Sequence, residues 1–207
     1  KDGTEAKLFV SDGVAEVKIE VNFVFRGTVL QPERRALTPA AQQMFSANVE
    51  VPVLATPELY AGKLVAALDR QHPRDLFDVQ LMLASGGWSE DLLDCFVVYL
   101  AGHNRPLHEV LFGNDKDIAA EYERAFVGMT DVPCSLDTLL AARARLRLEL
   151  PRRLTASQRQ FLSGLVRAEP DWSLMQYPNA AYLPALRCKL ANLDTFRKRR
   201  PADFQTQ

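Results

Sequence analysis

The sequence predicts an α+β fold, a small β-rich start followed by a larger helical bundle. Three observations carry that expectation. Apolar and polar residues alternate near the N-terminus, the apolar period turns helical from Pro57 onward, and no further β–α alternation follows. At 207 residues the chain is long enough for one large domain or two small ones. Its 47% hydrophobic and 25% charged residues exclude a disordered or collagen-like chain.

In order along the chain, Val17, Ile19, Val21, Phe23 and Phe25 alternate with Glu16, Lys18, Glu20 and Asn22. A period of two predicts a strand over residues 14–25 with one apolar and one polar face. Leu8-Phe9-Val10, joined through Ser11-Asp12-Gly13, is its hairpin partner. Val49, Val51 and Val53 predict a third short strand. Helical spacing of Leu59, Leu64, Ala67 and Leu68 then predicts a helix that His72-Pro73 interrupts. A second helix over 73–84 stops at Gly86-Gly87. Ser89-Glu90-Asp91 caps a third through Leu100. Further helices are expected at 115–127, 135–150 with Pro151 beyond, 155–168 and 184–198.

Charge is uneven. The net charge is −1, yet Arg143 to Arg200 holds thirteen Lys/Arg against four Asp/Glu, a local +9 that leaves −10 for the rest. Such a stretch is either a basic surface for an anionic partner or a set of solvated helix faces. Cys95, Cys134 and Cys188 are odd in number and lack CxxC spacing, which points to a reducing, cytoplasmic setting. No apolar run approaches the ~20 residues of a membrane helix.

Functional groups concentrate between Glu58 and Asp78. Lys63 and Arg70 are two helical turns apart and point the same way, with Ala66 and Ala67 between them. Arg74, Asp75 and Asp78 fall in the first turns of the next helix. A lysine and two arginines beside carboxylates suit phosphate handling, since lysine offers a point charge and arginine a planar fork. Simpler readings stand beside this one. Asp75 fits a helix first turn, and Arg74 with Asp78 fits an exposed i,i+4 pair. Glu20, mid-strand between Lys18 and Asn22, could hold a divalent metal or simply face water.

Taken together these pieces resemble the AbiEii/AbiGii toxin family of nucleotidyltransferases. Val17-Lys18-Ile19-Glu20-Val21 is similar to the family's central-strand motif. Glu58 through Lys63 resembles its acid-x4-lysine motif, with Glu58 where Asp is more usual. Arg70 followed by Arg74-Asp75 and Asp78 resembles the arginine and Arg-Asp motif, and residues 183–193 resemble the C-terminal helix. The resemblance implies a partial nucleotidyltransferase-like β-rich region over 1–56 and a helical domain over 57–207. It implies a toxin of toxin–antitoxin or phage-defence systems that transfers nucleotides from a nucleoside triphosphate to RNA, tRNA in some members, with Mg²⁺. By match, Lys63 contacts the triphosphate, Asp75 is a catalytic acidic residue, and Glu20 is a third carboxylate near the metal. Lys18, Arg70 and Arg74 support the nucleotide, and Glu58 and Asp78 complete the block. A cognate antitoxin is an expected partner, and the 143–200 region is the expected RNA surface.

One departure accompanies the match. The family's Gly-Gly or Gly-Ser turn and Asp-x-Asp pair, which hold two metals, are not found in this sequence. The chain opens on Lys1, not Met. The expectation is therefore an N-terminally truncated fragment, inactive alone, of an enzyme active at full length. The competing reading is a non-catalytic helical module that binds RNA or protein.

Overall fold

The computed structural model describes residues 7–20 and 27–206, without the side chains of Glu20 and Thr206. The strand expected over 14–25 is present as far as Glu20, and its remainder lies outside the described residues. Strand β1 (Lys7–Ser11) pairs antiparallel with β2 (Glu16–Glu20), with Leu8 opposite Ile19 and Val10 opposite Val17. Asp12 closes the turn by accepting the Val14 and Ala15 N–H groups. The register puts Leu8, Val10, Val17 and Ile19 on one apolar face, yet each is about half exposed.

A second ribbon joins β3 (Glu33–Ala36) to β4 (Glu50–Val53), with the short helix α1 (Pro39–Phe45) between them. The Val49–Val53 alternation marked β4 correctly. Its partner β3 reads Glu-Arg-Arg-Ala and is exposed throughout, so it carries no hydrophobic period. Helix α1 has a Thr38 cap and Pro39 at its start but buries no residue, which leaves no amphipathic signature.

The helical body is organised around α4 (Glu90–Ala101), capped by Ser89 as expected. Cys95, Phe96, Val97, Val98, Leu100 and Ala101 are fully buried, so this helix is covered on all sides. Burial of each larger apolar side chain contributes about 1.5–3 kcal/mol. Helix α2 (Thr56–Asp69) packs on α4 and on α3 (Pro73–Ala84), and α3 packs on α7 (Leu136–Arg153). Gly86 and Gly87 both take positive φ and end α3, with the Gly87 N–H returning to the Met82 carbonyl.

A helix lies where none was expected, and two helix boundaries differ from expectation. Helix α5 (Leu107–Phe112) is six residues long and has no side-chain cap. Helix α6 occupies only Ala119–Ala125 of the expected 115–127, and Asp117 accepts the Ala119 N–H at its start. Helix α7 runs through Pro151 to Arg153, and Arg159 donates to the carbonyls of Pro151 and Arg152, closing its end. Helix α8 (Ala156–Val166) begins with a full capping box between Thr155 and Gln158, and α9 (Pro184–Arg199) and α10 (Pro201–Thr206) follow.

Candidate phosphate-binding cleft

Helices α2 and α3 form an antiparallel hairpin whose turn is Arg70-Gln71-His72. Lys63 and Arg70 share one face of α2, and Asp75 and Asp78, three apart, share one face of α3. Antiparallel packing therefore pairs them outward from the turn. The Arg70 guanidinium grips Asp75 with two bonds, Nη2 to Oδ1 at 2.7 Å and Nε to Oδ2 at 3.1 Å. One step further out, Lys63 Nζ donates to Asp78 Oδ2 at 2.5 Å. The i,i+4 pair between Arg74 and Asp78 does not form; Asp78 takes Lys63 instead.

The two clasps differ. The Asp75 side chain is only 12% exposed and held by an outer, 64% exposed Arg70, whereas Lys63 and Asp78 are each about one-third exposed. Water screens the second pair, so it stabilises by no more than about 1 kcal/mol and can exchange partners.

The turn is built from a residue that composition did not single out. Gln71 has φ of 55° and is buried. Its Nε2 donates to the Asn114 carbonyl at 2.9 Å, and its Oε1 accepts from the Lys116 N–H at 3.0 Å and from Arg143 Nη1 at 3.1 Å. Three hydrogen bonds hold the left-handed backbone that a non-glycine residue avoids. Arg143 Nη1 also donates to the Lys116 carbonyl at 2.7 Å, and Lys116 Nζ donates to the Asp69 and Arg70 carbonyls at the end of α2. His72 caps α3. Its Nδ1 accepts the Arg74 N–H, and its Nε2 meets Glu121 Oε1 at 3.1 Å.

These contacts bring the 116–121 segment over the hairpin turn and enclose a cleft of about 610 Å³. Arg70, Arg74, Asp75 and Asp78 line one side, and Lys116, Asp117 and Glu121 line the other. Arg74 is exposed and makes no ion pair among the described residues, so its fork is available to a ligand. Lys63 reaches the cleft only through Asp78.

The remaining expected residues lie elsewhere. Glu58 is fully buried and accepts the Val29 and Leu30 N–H groups and the Tyr99 hydroxyl. Lys18 lies on β2 opposite Phe9, and the Glu20 side chain is outside the described residues.

The basic 143–200 stretch divides in two. Arg143 is buried, Arg147 pairs with Asp115 at 2.8 Å, and Lys189 donates to the carbonyls of His103, Asn104 and Arg105. These cations hold the fold together. Arg145 and Arg153 flank Glu149, and together with the Trp88 N–H they pull its carboxyl down to about 2. Arg152, Arg167, Arg187 and Arg199 make no ion pair among the described residues.

No three His, Cys, Asp or Glu side chains converge on a metal-sized site among the described residues. Asp75 and Asp78 each already hold a cation. The described residues alone therefore do not make a metal centre.

Gln71, Lys116 and Arg143 were not legible as site builders. A lone glutamine carries no pattern, and Arg143 read as one more charge in a basic run.

A family profile described as nucleotidyl transferase AbiEii toxin, type IV TA system, matches residues 2–180. No curated protein and no solved structure matches the chain. The profile spans the β2 ribbon, the clasped α2–α3 hairpin, the 116–121 wall of the cleft and helix α7, and the chain belongs to the AbiEii nucleotidyl transferase toxin family of type IV toxin–antitoxin systems.

Proposed function

We propose that this protein transfers a nucleotide from a nucleoside triphosphate to RNA, with tRNA as the acceptor class, and that the α2–α3 cleft receives the phosphates. The observation that supports this reading most is the pairing of an unengaged Arg74 with an exchangeable Lys63–Asp78 clasp beside a firmly held Asp75. A phosphate entering the cleft meets Arg74 and competes with Asp78 for Lys63. Arg70 keeps the Asp75 carboxylate in one orientation, with lone pairs left over for an incoming hydroxyl. In the transfer the acceptor oxygen bonds to the α-phosphorus, the bond to the β-phosphate oxygen breaks, and the hydroxyl proton passes to Asp75. Family membership implies a divalent metal, which supplies charge neutralisation at the phosphates.

Arg152, Arg167, Arg187 and Arg199, which make neither an ion pair nor a side-chain hydrogen bond among the described residues, are the part of the basic stretch suited to an RNA backbone. The protein as encoded in full, incubated with each labelled triphosphate, Mg²⁺ and tRNA, is expected to label the RNA. K63A and D75N are expected each to lower labelling by at least ~100-fold. Labelling by neither the wild type nor any nucleotide, or wild-type rates in both variants, refutes the reading.

A further inference from the structure

Resting on that reading, we infer that Glu58 is a positioning residue, which with Tyr99 ties the segment after the first ribbon to the helix that carries Lys63. The motif places Glu58 five residues before Lys63, as though both faced a substrate. Five residues turn a helix by roughly 140° beyond a full turn, so the two side chains leave α2 on different faces. Lys63 meets Asp78 on α3, whereas Glu58 points inward.

Its surroundings form a complete set of partners. Oε1 accepts the Val29 N–H at 2.8 Å and the Tyr99 hydroxyl at 3.1 Å, and Oε2 accepts the Leu30 N–H at 2.9 Å. Two consecutive backbone amides on one carboxylate fix both the position and the direction of that segment. Tyr99 reaches Glu58 by lying across α2 at Gly62, one turn further on. A Cβ on Gly62 would stand 3.1 Å from Tyr99 Cε1, so a glycine here lets the ring approach. The segment itself is closely fitted. Val29 is buried in the main core, and a Cβ on Gly27 would stand 2.7 Å from Leu183.

The latch has a mechanical meaning. Residues 29 and 30 follow the chain that carries Lys18 and Glu20, and Val29 stands nine positions after Glu20. The β2 end is thereby confined to within roughly 30 Å of the latch. Lys63 lies only about 7.5 Å further along α2. Glu58 acts on transfer by setting where the ribbon's chain joins α2, and it touches neither nucleotide nor acceptor.

The test uses the full-length protein with E58Q, E58D, Y99F and K63A, all assayed well below their melting transitions. In E58Q the Val29 and Leu30 amides are expected to exchange at least ~10-fold faster, with α3 and α7 amides unchanged. Transfer turnover falls at least ~10-fold while triphosphate affinity by calorimetry stays within about twofold. E58D keeps the charge and recovers most of the turnover, and Y99F falls between the wild type and E58Q. K63A shows the opposite split, with weakened triphosphate binding. Wild-type turnover in E58Q despite loosened amides overturns the proposal, as does a loss of triphosphate affinity equal to that of K63A. A wild-type protein that neither binds nor transfers nucleotide refutes the transfer reading, and the positioning role with it. That result is distinct from an active wild type beside an equally active E58Q.

Discussion

Arg143→Met separates the structural from the solvent-facing part of the basic stretch. Arg143 is 8% exposed and gives two hydrogen bonds from Nη1, to the Gln71 side chain and to the Lys116 carbonyl. Methionine fills most of the space of the aliphatic stem but donates nothing. Gln71 Oε1 keeps the Lys116 N–H, so the Lys116 carbonyl is the group left without its partner. Hydrogen bonds from a charged donor contribute about 1.5–3 kcal/mol each. With one acceptor still served, the expected loss is about 2–4 kcal/mol. At roughly 2–4 °C per kcal/mol for a chain of this size, Tm falls by about 4–16 °C in scanning calorimetry. Hydrogen exchange at the Lys116 amide is expected to rise in step, because the 116–121 wall of the cleft loses its tie. Arg199→Met is the control, exposed and without an ion pair. Its stability stays within about 0.5 kcal/mol of wild type while RNA affinity weakens. A shift below about 2 °C in Arg143→Met refutes the assignment of Arg143 to the fold.

Other outcomes are expected at separate places. Asp78→Asn removes the internal competitor for Lys63, so triphosphate affinity measured by calorimetry should tighten by about 3–10-fold; unchanged or weaker binding contradicts the exchangeable clasp. Burial pushes the Asp94 carboxyl up, against the Gln158 hydrogen bond that favours its charge. The folded protein then holds this proton more tightly than the unfolded chain. The Asp94 charge costs stability at neutral pH, and that cost disappears as pH falls through the raised folded value. Asp94→Asn should therefore raise Tm at pH 7 and lose its advantage on acidification, and a gain that grows towards low pH would reverse the argument. Gly164→Ala places a Cβ 2.7 Å from the Glu169 carbonyl oxygen. It should cost about 1–3 kcal/mol, read as a lower denaturant midpoint with an unchanged slope.

Sequence periodicity located the first ribbon, the core helices and their caps, because each leaves a repeated mark. Ser89 caps where the sequence placed it, and the helices expected from 135 and 155 begin on Ser135 and Thr155 caps. The charged strand Glu33–Ala36 and the capped but unburied α1 left no hydrophobic mark, since neither buries a face. In the cleft, Lys63 and Arg70 were legible as neighbours on one helix face. Their partners were not, because whether Asp78 goes to Lys63 or to Arg74 depends on how α2 and α3 pack. Glu58 shows the same limit more sharply. Its motif spacing associates it with Lys63, and only the fold reveals that it faces Val29, Leu30 and Tyr99.

The hairpin that carries both clasps spans only Lys63 to Asp78, so its two acid–base pairs close short loops and need little of the chain to form. The opposite wall of the cleft is tied down by a contact 72 residues apart, from Gln71 to Arg143. Local contacts close early and distant ones late. During synthesis the clasped charges of the hairpin can therefore be arranged while the cleft beside them is still open. The far wall of the cleft is fixed only after α7 has left the ribosome.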